Sequence, residues 1–234
     1  MLYGFGGFDK YYLLVLIAFA ISMWASHNVQ KSFIKYSKVP NDRGISGAEA
    51  ARILIQRNNL NVSVDRAQGG MLGDHYDPRT RTVRLSPDVY DGRSVAALSV
   101  ASHEVGHAIQ HAHGYKPLEF RTAFFPIASF ASQTWTFIFL LGLLFGRGSG
   151  AYTIFTIAIM MFAAGLLFQL ITLPVEFDAS RRALAQMGDQ GLLGTHEIGG
   201  ARAVLKSAAM TYVAAALMGI ANLLRLLSIR GRRD

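Results

Sequence analysis

The residues with the clearest potential for chemistry are His103, Glu104 and His107, which belong to the motif HEVGH. In a helix, positions i and i+4 lie one turn apart on the same face, so both imidazoles can reach one metal ion. Glu104 is offset around the helix, where its carboxylate can take a proton from a water molecule activated by that metal. Because the chain contains no cysteine, its metal ligands must be histidine, aspartate or glutamate. The motif therefore predicts a zinc (Zn²⁺) site.

A catalytic zinc ion needs a third protein ligand and leaves one position open for water. His113 stands at the third-ligand position of the pattern HExxHxxGxxH, but Gln110 replaces the glycine at which that pattern turns the chain back. A helix that continues through Gln110 points His113 away from the motif. His111 lies one turn further along the same face, too far along the axis to share a tetrahedral ion easily.

The other candidate for third ligand is Glu176, in the segment PVEFDASRRA. Two long apolar segments lie between it and the motif, so the chain crosses a membrane, returns, and brings Glu176 to the side on which the motif lies. A competing interpretation is a glutamate at the membrane surface that pairs with Arg181 or Arg182. We predict Glu176 as the third zinc ligand.

Such a site predicts hydrolysis of peptide bonds, with Glu104 as the general base that passes the proton of water to the leaving amine. The oxyanion needs a further donor, for which His75 and Tyr76 in GDHYDP are favoured over His196 and Arg181. The neighbouring strand at 82–85 is expected to bind an extended peptide by strand addition.

The elements that must position these residues lie in an apolar chain. Of its 234 residues, 51% are hydrophobic and 16% charged, which is typical of membrane proteins. The second and third of four uncharged segments are joined by GRGSG and predict an antiparallel hairpin. Asp9 and Lys10 flank the first segment, which favours an uncleaved anchor over a signal peptide. The four segments cover residues 11–30, 122–146, 148–175 and 207–224.

A polar region between the first two segments is long enough for a small domain. Ser46 and Glu49 predict a capping box at the start of a helix. A β-hairpin is expected next, with a turn at Asp77. Ser94 then caps a second helix, which carries the motif and ends at Gly114.

The combination of HEVGHAIQH, a membrane hairpin and LPVEFDASRRA, with DHYDP and LSPDVY upstream, resembles the YugP-type family of bacterial membrane zinc metallopeptidases over nearly the whole chain. The chain is more distantly similar to HtpX and the CAAX prenyl proteases. In those families the glutamate of the second segment binds zinc, and an aspartate four residues later orients a ligand histidine. Ser180 stands at that position here, and Asp178 is offset from the corresponding helix face.

The expected fold is a mainly α membrane protein, with about four transmembrane helices and a small zincin-like α+β cytoplasmic domain that carries the HExxH helix. The expected parts are an N-terminal transmembrane helix (1–27), the zincin-like domain (28–120), the hairpin (121–175), a cytoplasmic segment with the third zinc ligand (176–206), and a C-terminal membrane helix with a basic tail (207–234).

Lysine and arginine gather on both sides of the zincin-like region, which predicts that the active site faces the cytoplasm at the bacterial inner membrane. Four complete spans would then leave Arg230, Arg232 and Arg233 outside. Either the last helix is interfacial or re-entrant, or this tail is tolerated.

The expected function is a membrane-embedded, zinc-dependent endopeptidase of the gluzincin type, whose partners are the lipid bilayer and a protein or peptide substrate. A net charge of +8 suits anionic lipid, and we expect no nucleic acid because no basic helix face is interleaved with aromatic residues. The alternative function is a non-catalytic, zinc-stabilised membrane scaffold or chaperone, which has no need of Glu104. A metal transporter would need ionisable residues within its spans, where only polar Gln133 and Gln169 stand out.

Overall fold

The computed structural model describes residues 10–67, 73–144 and 149–231, and the fold there is mainly helical, as predicted. Of the turn expected at Gly146 to Gly150, residues 146–148 lie outside the described residues and residues 149 and 150 begin a helix; Asp9, Arg232 and Arg233 also lie outside the described residues. The helices are α1 (Lys10–Ser37), α2 (Gly47–Arg57), α3 (Pro87–Tyr90), α4 (Val95–Ala112), α5 (Lys116–Leu144), α6 (Ser149–Asp189) and α7 (Thr195–Gly231), and the strands are β1 (Ser63–Arg66), β2 (His75–Asp77) and β3 (Thr82–Leu85).

Four helices in the described part of the chain, α1, α5, α6 and α7, are long and apolar enough to cross a membrane, which confirms the four predicted segments. Their large apolar side chains are widely exposed, for example Phe130, Phe137 and Met160. Such exposure suits contact with lipid, because acyl chains solvate apolar side chains that water does not. Helix α6 continues well beyond its apolar segment, so Glu176 lies within this helix and not in a loop after it.

The chain forms two compact units. In the first (Met1–Trp24, Arg121–Ile171 and Tyr212–Asp234), aromatic rings join α5 to α6. Trp135 packs on Phe162 with ring centroids 4.8 Å apart, and Phe139 packs on Phe155 at 5.2 Å. Because later residues of α5 contact earlier residues of α6, the two helices run antiparallel, as the hairpin prediction requires.

The second unit (Ala25–Phe120 and Thr172–Thr211) contains a three-stranded sheet in its described residues, with strand order β1-β3-β2. Strands β2 and β3 form the predicted antiparallel hairpin, and β1 pairs parallel with β3. Since β3 has a partner on both edges, the expectation that this strand binds substrate by strand addition is wrong. The parallel partner comes from a distant part of the sequence, which the local pattern did not reveal.

Both predicted helix caps of this unit are confirmed. Ser46 Oγ accepts from the Glu49 amide at 3.2 Å, and the Glu49 carboxylate accepts from the Ser46 amide at 2.6 Å. Ser94 Oγ caps α4 by accepting from the Ala97 amide at 3.2 Å. Helix α4 stops just before Gly114, whose φ of +60° suits glycine at this position.

Helix α4 lies at the centre of the hydrophobic core of this unit. Most of its residues are buried, so the motif is carried by a helix that is held on several sides. Rigid support of this kind is what precise ligand geometry requires. The surrounding core includes Leu54, Val83, Leu85, Leu98, Val105, Met187 and Leu205.

Candidate metal centre

Helices α4 and α6 bring three ligand-type side chains together. Glu176 Oε2 lies 3.2 Å from His103 Nε2 and 3.6 Å from His107 Nε2. The three donor atoms lie within 4.8 Å of one another. Ligands about 2.0–2.1 Å from a tetrahedral zinc ion are separated by about 3.3 Å. Two nitrogens and one carboxylate oxygen at these spacings therefore fit a catalytic zinc ion with one open position.

A glycine inside the motif lets the two helices approach. A Cβ atom on Gly106 would lie 2.6 Å from the carbonyl oxygen of Ala179, a distance that side chains do not tolerate. Backbone of α4 therefore contacts backbone of α6 one residue before His107 and three residues after Glu176. This contact sets the distance between the histidine ligands and the carboxylate.

Glu104 is 7% exposed and lies beside the cluster. Burial raises the pKa of its carboxyl to about 7, although the neighbouring His103 acts in the opposite direction. The backbone of Tyr76 in strand β2 is close enough to act in the same direction as His103 on the pKa of Glu104.

The outer nitrogens of both histidines have hydrogen-bond partners. His103 Nδ1 lies 3.2 Å from Ser180 Oγ, and His107 Nδ1 lies 3.0 Å from Gln110 Oε1. Ser180 stands where the related families have an aspartate, and its hydroxyl contacts His103 from that position of the helix. Asp178 does not contact a histidine directly but accepts from Gln110 Nε2 at 3.0 Å.

The competing interpretation of Glu176 involved two arginines, and the structure pairs both of them with Asp178. Arg182 Nε donates to Asp178 Oδ2 at 2.6 Å, and Arg181 donates to Oδ1 of the same carboxylate.

The side chains proposed for the oxyanion lie elsewhere on the domain. His75 Nδ1 is 2.8 Å from the Gly73 carbonyl oxygen, and its ring faces Arg84. The Tyr76 hydroxyl is 2.8 Å from His111 Nδ1, and both residues line a cavity of about 310 Å³. Neighbouring residues of a strand point to opposite faces, so the side chains of His75 and Tyr76 cannot both donate to the same oxyanion. Their role in catalysis stays a prediction.

The remaining histidines considered from the sequence also lie outside the cluster. His113 is the exposed residue that ends α4. His196 is 3.4 Å from Asp42, and with Glu197 these residues form a second group of ligand-type side chains. Glu197 accepts hydrogen bonds from the amides of Gly194 and Asp42, so its carboxylate serves to cap α7.

Sequence reasoning missed Asp74, which anchors the segment before β2. Its carboxylate accepts from the Ser86 amide at 2.7 Å and from Ser86 Oγ at 3.0 Å. Burial raises the pKa of the Asp74 carboxyl. Because these bonds tie the start of β2 to the end of β3, Asp74 helps to hold the backbone of β2 close to Glu104. The GDHYDP motif drew attention to this segment, but nothing in it distinguished Asp74 from its neighbours.

Comparison with known proteins agrees with this geometry. Residues 11–231 match the family described as "Putative neutral zinc metallopeptidase". The chain belongs to this family. It is also similar to "Putative membrane protease YugP" of Bacillus subtilis (strain 168), with 46% identity over 217 residues that cover 92% of this chain and 94% of the relative. No solved structure matches the chain significantly. The resemblance to YugP-type zinc metallopeptidases is confirmed, and the family is one of hydrolases.

Proposed function

We propose that this protein is a membrane-embedded, zinc-dependent endopeptidase of the gluzincin type that cleaves membrane proteins or peptides at the membrane surface. The observation that carries the proposal is the convergence of His103, His107 and Glu176 beside the buried carboxylate of Glu104. A purely structural zinc site is closed by four protein ligands and needs no base.

The catalytic role of each residue follows from its atoms. His103, His107 and Glu176 would hold the metal through their facing atoms Nε2, Nε2 and Oε2. A zinc ion held there would polarise the scissile carbonyl and acidify a water molecule. The Glu104 carboxylate takes the proton of the attacking water and delivers it to the leaving amine nitrogen. Tyr76 or His75 is kept as the proposed oxyanion donor on the sequence prediction alone, since the side-chain hydrogen bonds of both residues lie outside the cluster.

The substrate strand is proposed to lie along β2, in place of β3. Strand β2 is at the edge of the described sheet, and its backbone at Tyr76 passes close to Glu104. An extended peptide added to this edge would pass beside the general base. To test this, a peptide that the protein cleaves is compared with versions N-methylated at alternate backbone positions. Strand addition predicts a raised KM for one alternate set, and an unchanged KM for both sets would rule it out.

The proposed domain comprises residues 28–120 together with 176–206, and we place it on the cytoplasmic side of the bacterial inner membrane. The basic residues that flank it support this orientation.

The zinc content and caseinolytic activity of the purified protein test the main proposal. We expect about one zinc ion per chain and cleavage for the wild type. Glu104→Gln should keep the metal and lose activity, because an amide cannot take the proton. Glu176→Ala should lose metal, since two histidines alone bind zinc weakly. An active Glu104→Gln variant, or a Glu176→Ala variant that keeps its zinc, would contradict the assignment.

The scaffold or chaperone alternative is distinguished by the same variants. It predicts zinc binding without cleavage in the wild type and equal function of the wild type and Glu104→Gln in cells. Loss of the cellular function in Glu104→Gln would exclude it.

A further inference from the structure

A single amide side chain lies between the two helices that carry the metal ligands. Gln110 is 0% exposed and is the residue that replaces the glycine of the HExxHxxGxxH pattern. Its Oε1 lies 3.0 Å from His107 Nδ1, and its Nε2 lies 2.8 Å from the Val175 carbonyl oxygen and 3.0 Å from Asp178 Oδ2. All three partners lie in the same compact unit.

The chemistry of these partners fixes the direction of every hydrogen bond. The Val175 carbonyl oxygen and the Asp178 carboxylate, which Arg182 also contacts, can only accept. The NH₂ group of Gln110 must therefore face them, and its carbonyl oxygen must face His107. Since that oxygen can only accept, the proton of the neutral imidazole is on Nδ1.

This arrangement decides which nitrogen of His107 can bind a metal. With the proton on Nδ1, the lone pair is on Nε2, the atom that faces Glu176 Oε2 at 3.6 Å. The opposite tautomer would place two acceptors, His107 Nδ1 and Gln110 Oε1, against each other in a buried site, which is costly.

We propose that Gln110 is a positioning residue of the metal centre, which holds His107 in the Nδ1–H tautomer and aligns it with Glu176 through the Val175 carbonyl and Asp178. The inference rests on the proposed zinc site. It adds a chain of buried hydrogen bonds, called the relay below, which runs from Asp178 through Gln110 to His107. Arg182 holds the Asp178 carboxylate at the far end of this chain.

The first test is zinc affinity, measured by competition with a chromophoric chelator for wild type and Gln110→Leu in detergent. Loss of an outer partner of a ligand histidine typically weakens metal binding about 10- to 100-fold, and we expect a loss of this size. The visible spectrum of the cobalt-substituted protein should change as well, because the ring is no longer held in one orientation. Ser99→Ala is the matched control, since Ser99 is equally buried on α4 but bonds only to the Val95 carbonyl.

A pair of variants at Asp178 separates positioning from packing. Asp178→Asn keeps an oxygen that can accept from Gln110 Nε2 and Arg182, whereas Asp178→Leu leaves Gln110 Nε2 with the Val175 carbonyl oxygen as its acceptor. Both variants remove the same negative charge, so a difference between them reports on the hydrogen bond. We expect Asp178→Asn to keep most of the zinc affinity and the wild-type cobalt spectrum, and Asp178→Leu to bind zinc more weakly.

The results separate this inference from the proposed function. A wild type that binds no zinc would refute the proposed site itself. A wild type that binds zinc, with Gln110→Leu equal to it, would overturn the positioning role alone. If Gln110→Leu does not fold, the two Asp178 variants decide: weaker zinc binding by Asp178→Leu than by Asp178→Asn supports the relay, whereas equal zinc affinity overturns it. If none of these variants folds, Gln110 is a structural residue and the inference is wrong.

Discussion

Asp77 joins the two strands of the hairpin beside the motif. Its Oδ2 accepts from Arg84 at 2.9 Å and from Thr80 Oγ1 at 2.8 Å, and its Oδ1 accepts from the Arg79 amide. The hydrogen bond from Arg84 is the main reason why the pKa of the Asp77 carboxyl lies well below its usual range. A carboxyl whose pKa is lower in the folded than in the unfolded chain stabilises the fold above the unfolded pKa, about 3.9, and this contribution is lost as the pH falls below it.

We therefore expect Asp77→Asn to destabilise the zinc-free protein by about 0.5–1 kcal/mol at pH 7, a size suited to a partly exposed ion pair. Asparagine still accepts from the Arg79 amide, so the turn is kept. The difference in Tm between variant and wild type should shrink between pH 5 and pH 3, as followed by circular dichroism. A difference that stays constant over this range would mean that the carboxylate charge contributes nothing.

Single residues were predictable from the sequence where their geometry is local. The spacing of His103, Glu104 and His107 within one helix already defines their relative positions. The roles of Gln110 and Ser180 beside the two histidines could not be predicted, because the contacts of both residues depend on how α4 crosses α6. No local sequence pattern encodes that crossing.

At the level of elements, the contact between α4 and α6 depends on Gly106. A Cβ atom there would meet the Ala179 carbonyl oxygen at 2.6 Å, so Gly106→Ala must push the helices apart. We expect a loss of about 1–3 kcal/mol in stability, as for other overpacked sites, and weaker zinc binding because Glu176 moves with α6. Thermal unfolding of the zinc-free protein and chelator competition measure the two effects.

The control for this prediction is Gly199→Ala on α7, where a Cβ atom would meet nothing within 4 Å. Alanine has the higher helix propensity, so this variant should be as stable as the wild type or about 0.5–1 kcal/mol more stable. A Gly106→Ala variant that behaves like Gly199→Ala would show that the helices tolerate a wider separation.

Elements were predicted well where composition or capping identifies them, as with the four apolar helices and the helix caps at Ser46 and Ser94. The order of the strands in the sheet was not predicted, because the parallel pairing of β1 with β3 joins strands that no short turn connects. The length of α6 was also underestimated, since its polar last third shows no apolar segment that would reveal the helix.

On the scale of the whole molecule, the orientation of the chain can be tested directly because it contains no cysteine. Arg79, in the exposed turn after β2, can be replaced by Cys, as can Arg147 between the second and third apolar segments. We expect a membrane-impermeant maleimide to label Arg147→Cys in intact spheroplasts and Arg79→Cys only after permeabilisation. The reverse pattern would place the metal centre outside the cytoplasm.

A third variant, Asp234→Cys, reports on the last helix. Four complete spans predict labelling like that of Arg147→Cys. Labelling like that of Arg79→Cys would mean that α7 does not cross, and the basic tail would then obey the rule that positive charges stay in the cytoplasm.

The position of Glu176 on α6 also has a consequence for biosynthesis. The ribosome completes His103 and His107 long before Glu176, and two apolar segments must be made in between. Domains fold as the chain emerges, yet the proposed third ligand is missing until the hairpin has been synthesised. A nascent or truncated chain that ends before residue 176 therefore has Glu104 and the two histidines but not Glu176. On the proposed assignment, the protein would be made without proteolytic activity and would acquire it only after its membrane hairpin is in place.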